Sequence, residues 1–176
     1  MGSFFLLGFW HFLQAPSHII MLFGLGLLIG QQGGCGLRSG LPAFVVAVIA
    51  GLLLTQTAMP AWDKDVVLLP LAAVLGSILA VRLELPGWVV GLLAGAAGIL
   101  IGLDSAPGLI PGVKAVKIYA ALAGTALSTS LAILLLSLPA LLLRLPLNGI
   151  FLRILGSWVV ASALMVVALM FAPRQL

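Results

Sequence analysis

Apolar residues fill most of the chain in six long runs, separated by short segments that are polar or rich in glycine and proline. The runs extend over about residues 3–29, 41–58, 66–83, 88–103, 118–143 and 151–171. A helix that crosses a membrane needs about 20 largely apolar residues, which is close to the length of most of these runs. The pattern therefore predicts an all-α fold, a polytopic membrane bundle of about six transmembrane helices.

The composition supports a membrane location. Of the 176 residues, 63% are hydrophobic and 7% are charged, whereas soluble domains carry about 25% charged residues. We therefore expect residues 1–176 to form a single integral membrane domain whose main partner is the lipid bilayer. The basic residues are scattered singly, so no nucleic-acid site is expected. They also divide evenly between the two predicted sides of the membrane, and the positive-inside rule gives no orientation.

The first apolar run contains both histidines of the chain, His11 and His18, with a polar segment between them. That segment includes Pro16, which lacks a backbone donor and clashes with the preceding helical turn. Ser17 is suited to begin a new helix. We expect the first helix to break near Pro16. Because a broken helix at membrane depth needs partners for its freed polar groups, the break is the best candidate site in the sequence.

The same stretch resembles the HupE/UreJ family, whose members are small membrane proteins linked to nickel or cobalt supply for hydrogenase and urease. The resemblance rests on Gly8-Phe9, His11, the polar break, His18, Gly24-Leu25-Gly26 and Gln31-x-Gly33-Gly34. The family's first-helix signature is close to His-Pro-x-x-Gly-x-Asp-His. This chain keeps the histidines but has Phe12, Ala15 and Ser17 at the proline, glycine and aspartate positions. The family's later histidine pair has no counterpart, so the resemblance implies a divergent member.

The resemblance implies a permease or metal-handling protein for nickel or cobalt, carried as substrate, in the bacterial inner (cytoplasmic) membrane. His11 and His18 would be the metal ligands, with Ser17 and Asp104 as weaker neighbours. In a straight helix the two histidines would lie about 10 Å apart, too far to share one ion unless the break redirects them. The alternative is that both histidines are hydrogen-bonded to neighbouring helices. Asp104, at a predicted helix end, is either functional or a solvated cap.

A second function of a different class stays open. The protein would then be a non-transporting accessory or structural subunit, bound to another membrane protein or to copies of itself, that lost the metal site. No phosphate loop, catalytic Ser/His/Asp set or metalloprotease motif is present, so neither an enzyme nor a resident cofactor is expected.

Two further expectations concern the packing of the helices. The small residues of the fourth run predict that this helix lies inside the bundle, beside the first. Gly26-Leu-Leu-Ile-Gly30 also recurs as Gly98-Ile-Leu-Ile-Gly102, three spans later. This spacing is typical of inverted transporter repeats, although coincidence is at least as good an explanation in so glycine-rich a chain.

Overall fold

The computed structural model describes residues 2–55, 65–105, 115–145 and 149–172. Within these ranges the chain forms seven helices and no strands. They are α1 (Gly2–Gln14), α2 (Pro16–Gln31), α3 (Gly33–Leu54), α4 (Asp65–Val81), α5 (Gly87–Asp104), α6 (Ala115–Leu143) and α7 (Ile150–Phe171). Helices α3, α5, α6 and α7 are long and apolar enough to cross a membrane, and α2 and α4 are shorter apolar helices. The protein is an integral membrane protein, and the predicted all-α membrane bundle is confirmed.

The predicted break near Pro16 is also confirmed. Ala15 separates α1 from α2 and has an extended backbone, with φ −102° and ψ 107°. Pro16 is the first residue of α2, where its missing N–H costs no helical hydrogen bond and its fixed φ suits the helix. The backbone N–H groups of His18 and Ile19 both donate to the carbonyl oxygen of Ala15. The first predicted span is therefore two helices joined by one extended residue.

Helix α2 forms the centre of the bundle. Its side chains are buried over most of its length, and Met21, Leu25 and Leu28 have no exposed surface. The central position predicted for the fourth span, which is α5, is wrong. Helix α5 buries one face, whereas Trp88 and Leu92 on its other face are 68% and 64% exposed. Its small residues serve a close contact with one neighbour, α3, rather than a position enclosed on all sides.

The glycine-rich stretch 31–40, which lies between the first two apolar runs, is mostly helix. Only Gln32 separates α2 from α3, and Gly33 has a φ of +70°, a left-handed conformation that favours glycine. The next two helical turns carry Gly36 and Gly40, which lie directly against Ile29 of α2. The glycines therefore make a tight helix–helix corner, and α3 starts earlier than its apolar run. As a result Pro42 lies inside α3 and not in its first turn.

The two copies of the repeated glycine motif make equivalent contacts. Gly26 lies against the Ile133 carbonyl and the Leu136 side chain of α6, and Gly98 lies against the Phe44 carbonyl and the Ala47 side chain of α3. The second glycines follow the same rule, with Gly30 facing Ser137, Ala140 and Leu141, and Gly102 facing Val48, Gly51 and Leu52. The partners on α6 and the partners on α3 correspond one to one, and the residue numbers in each corresponding pair differ by the same amount. Both contacts join helices that run in the same direction.

The remaining pair of helices completes this symmetry. Helices α4 and α7 cross in opposite directions at Gly76 and Gly156. A methyl group at either glycine would lie 2.9 Å from the carbonyl oxygen of the other. The residues that surround Gly76 on α7 and those that surround Gly156 on α4 also correspond, with the same difference in residue number in each pair. Helices α2–α4 and α5–α7 therefore form two structural repeats. Each helix runs opposite to its counterpart in the other repeat, as in inverted-repeat transporters.

The bundle has two ends, which are named here by the polar residues they carry. The His18 end contains the beginning of α2 and the last residues of α3 and α5. The Gln32 end contains the joint between α2 and α3, the short connection 82–86, the last residues of α6 and the first residues of α7.

Candidate functional site

His18 and Asp104 meet at the His18 end of the bundle. The imidazole Nε2 of His18 lies 2.9 Å from Oδ2 of Asp104. Since an ionised carboxylate can only accept hydrogen bonds, the Nε2–H group donates to it. His18 is fully buried, whereas 30% of the Asp104 side chain is exposed. The carboxylate therefore connects a buried imidazole to the surface of the bundle.

The helix break places His18 in this position. Because α2 begins at Pro16, His18 lies in its first turn, and α5 ends at Asp104. The N-terminus of α2 and the C-terminus of α5 therefore meet at the pair. An anionic carboxylate is stabilised by the positive end of α2. The oxygen atoms of the carboxylate and of the carbonyl groups that end α5 can in turn act as ligands for a cation. The contact joins the beginning of α2, at the break, to the end of the fourth predicted span.

The other predicted site residues are placed differently. Ser17 is buried beside His18 in the first turn of α2, and Gln14 is exposed at the end of α1. His11 lies on α1, but its side chain is outside the described part of the structure. The structure therefore brings together two of the four predicted ligands, His18 and Asp104.

The hydroxyl-bearing residues of α6 bond mainly to their own helix. Ser128 and Thr129 donate to the carbonyl oxygen of Thr125. Thr125 itself donates to Ala121, at 3.2 Å, and across to Gly8 of α1, at 3.1 Å. The contact with Gly8 fastens α1 to α6 in the region before the break. Helix packing therefore accounts for the hydroxyl groups of these three side chains, and no transport path is needed to explain them.

A second polar cluster, at the Gln32 end, was not predicted as a site. The Gln32 side chain donates from Nε2 to the carbonyl oxygen of Leu83 at 2.7 Å and accepts from the backbone N–H of Leu85 at 3.0 Å. The neighbouring Gln31 donates to the carbonyl oxygen of Leu79 at 3.1 Å. The signal in the sequence was a pair of carboxamides at the end of an apolar run. By the shift that relates Gly30 to Gly102, Gln32 is the counterpart of Asp104.

Within the described ranges, no group of three or more His, Cys, Asp or Glu side chains is arranged to hold a metal ion. The described contact therefore offers an ion two protein donors, the imidazole Nε2 and the carboxylate. Protein sites that hold zinc use about three or four ligands.

Comparisons of this chain with protein-family models, with curated proteins and with solved structures found no match. The resemblance to the HupE/UreJ family therefore stays a prediction from the first helix.

Proposed function

We propose that the protein is a small membrane permease for a divalent transition-metal cation, with the pair His18–Asp104 as its transient binding site. By its resemblance to the HupE/UreJ family, nickel or cobalt is the expected substrate and the bacterial inner membrane the expected location. The observation that carries the proposal is the hydrogen bond between a fully buried histidine and a partly exposed aspartate at a helix break. Ionisable groups in membrane helices are costly, and they commonly mark the path of an ion.

The chemistry of the pair suits a cation that binds and leaves. Neutral imidazole is a good ligand for nickel and cobalt, and a carboxylate supplies the negative charge that a divalent cation needs. The substrate would reach the exposed side of Asp104 first and would then bind the Nε2 lone pair of His18, with the imidazole proton moved from Nε2 to Nδ1 so that the ring stays neutral. A site with few protein ligands favours release, because conduction requires binding that is weak enough to reverse. His11 and Ser17 are the further ligands that the resemblance implies.

The inverted repeat also supports transport. In secondary transporters with this architecture, binding sites lie between the repeats and use helices that are interrupted at membrane depth. Here α2 and α5 are the first helices of the two repeats, and His18 and Asp104 join them beside the interruption. A rocking motion of one repeat against the other would change the surroundings of the pair.

The test is uptake of nickel or cobalt into proteoliposomes that contain the purified protein. We expect His18→Ala and Asp104→Asn each to lower the initial rate by about tenfold or more, which corresponds to the loss of about 1.4 kcal/mol of binding. Cys35→Ala is the matched control, since Cys35 is an exposed metal-binding side chain at the opposite end of the bundle. Wild-type uptake by both site variants would exclude the pair, and His11→Ala tests the remaining predicted ligand.

A second candidate function is an accessory or structural subunit that does not transport. It is favoured by the small number of ligands, since no set of three metal-binding side chains is present among the described residues. Purification in a mild detergent should then yield a companion membrane protein in fixed stoichiometry. A single, monodisperse protein that accumulates metal in proteoliposomes would argue against this function.

A further inference from the structure

A cavity of about 360 Å³ opens at the Gln32 end, far from the His18–Asp104 pair. Its wall combines two guanidinium groups, one carboxylate, two carboxamides and three leucines. These residues are Gln31, Gln32, Arg82, Leu83, Glu84, Leu85, Arg144 and Leu145. The volume lies within the range of about 300–1,000 Å³ that is usual for small-molecule sites.

One wall of this cavity is held in place by Gln32. Its carboxamide both donates to Leu83 and accepts from Leu85, so it fixes the connection between α4 and α5 at two backbone groups. Arg82 begins this connection and has a left-handed φ of 61°, an uncommon conformation for a residue with a side chain. The two hydrogen bonds of Gln32 help to maintain this backbone, and Arg82 contributes its side chain to the wall.

The cavity is also lined by Arg144, whose guanidinium lies against Gly33. Any side chain at Gly33 would overlap the Arg144 guanidinium, and the φ of +70° at Gly33 also favours glycine. The guanidinium therefore occupies a notch that only glycine leaves open. Two arginines and one glutamate give the cavity a positive formal charge.

We infer that this cavity binds the phosphate headgroup of a membrane phospholipid, with Arg82 and Arg144 donating to the phosphate oxygens. Guanidinium groups match the geometry of phosphate and bind it with charge-assisted hydrogen bonds. Basic pockets between transmembrane helices are known binding places for lipid headgroups.

A lipid fits better than free phosphate because of the apolar residues at the rim. Leu145 is 76% exposed and Leu83 is 49% exposed, directly beside the arginines. This arrangement offers an apolar surface to the glycerol and acyl groups that follow a bound phosphate. The site lies at a helix end of the bundle, which is the depth at which headgroups are found.

The experiment measures binding of phosphatidylglycerol, against phosphatidylcholine, to the full-length protein in detergent by native mass spectrometry. We expect the double variant Arg82→Gln/Arg144→Gln to bind phosphatidylglycerol about tenfold more weakly, since it loses two charged hydrogen-bond donors. The matched control Arg38→Gln/Arg153→Gln removes the same charge from the same end but outside the cavity. It should change binding less than twofold. Glu84→Gln should strengthen binding, because it removes the one negative charge of the wall.

Thermal stability of each variant is measured in parallel, so that unfolding is not mistaken for lost binding. Equal losses in the cavity and control variants would overturn the inference, since they would indicate general attraction to basic residues. Inorganic phosphate distinguishes the two sources of the ligand. If phosphate alone displaces the lipid at equal concentration, the cavity is an ion site and the lipid assignment fails. Displacement by glycerophospholipid but not by phosphate would support it.

Discussion

The close contact between α5 and α3 leads to a prediction whose size can be worked from the structure. A methyl group at Gly102 would lie 2.6 Å from the Val48 carbonyl oxygen and 2.9 Å from the Gly51 Cα. Both atoms belong to the backbone, so no side chain can move aside and the helices must separate. Overpacking of this kind costs about 1–3 kcal/mol. We therefore expect Gly102→Ala to destabilise the protein.

Gly95→Ala is the matched control, because Gly95 lies on the same helix and has no atom near the place of a new methyl group. Alanine is preferred over glycine in a helix by about 1 kcal/mol, and both variants share that gain. The difference between them isolates the packing cost. We expect Gly102→Ala to have a free energy of unfolding about 1–3 kcal/mol lower than that of Gly95→Ala.

The repeat makes a second comparison available. Gly30 contacts α6 as Gly102 contacts α3, so Gly30→Ala should be destabilising to a similar extent. Gly34 has no atom nearby and provides the control on the other side of the joint. Free energies are measured by steric trapping or denaturant titration in bicelles. Equal stability of Gly102→Ala and Gly95→Ala would refute the packing argument, and a silent Gly30→Ala would refute the equivalence of the two contacts.

Three further predictions concern the polar contacts. In a double-mutant cycle, His18→Gln and Asp104→Asn should show a coupling of about 1–3 kcal/mol, because either change leaves a buried polar group poorly paired; additive losses would contradict the contact. Pro16→Ala should permit a continuous helix from α1 to α2, which proline at that place disfavours by about 3 kcal/mol relative to alanine, and should therefore keep or raise the melting temperature and abolish His18-dependent uptake. An unfolded variant, with His18→Ala silent, would instead make the break part of the scaffold. Gln32→Leu should lower the free energy of unfolding by about 1–3 kcal/mol, because two hydrogen bonds are lost. The control Gln14→Leu, at an exposed position, should change it by less than about 0.5 kcal/mol. Both variants are measured by the same unfolding titration.

Local signals made part of this structure predictable. The break at Pro16 was predictable from its ring and missing N–H together with the polar residues beside it, whereas Pro42 inside α3 shows that proline alone does not break a helix. Asp104 ends α5, as expected where an apolar run stops at a carboxylate. The contact between His18 and Asp104 was predictable as well. Few polar groups are available at that depth, and a buried imidazole needs one of them.

Helix neighbours were harder to predict, because glycine content does not say which face of which helix comes close. The small residues of α5 suggested a central helix. Two of them, Gly98 and Gly102, instead form a close contact with a single neighbour, α3. The glycines between Gly33 and Gly40 likewise serve particular contacts. They lie against Ile29, at the end of the first apolar run, and against Arg144, after the fifth.

The two repeats have corresponding helix contacts but carry different polar residues, and this difference bears on the proposed transport. Asp104 and Gln32 occupy equivalent places in the two repeats, each two residues after the second glycine of its motif. Each holds one end of the bundle, Asp104 by its contact with His18 and Gln32 by its bonds to the connection between α4 and α5. A carboxylate attracts a cation and a carboxamide does not. A cation would therefore compete with the contact that closes the His18 end and leave the Gln32 end closed. For the substrate to leave at the other end, the Gln32 bonds must break while the His18–Asp104 contact forms again, so the two contacts would alternate.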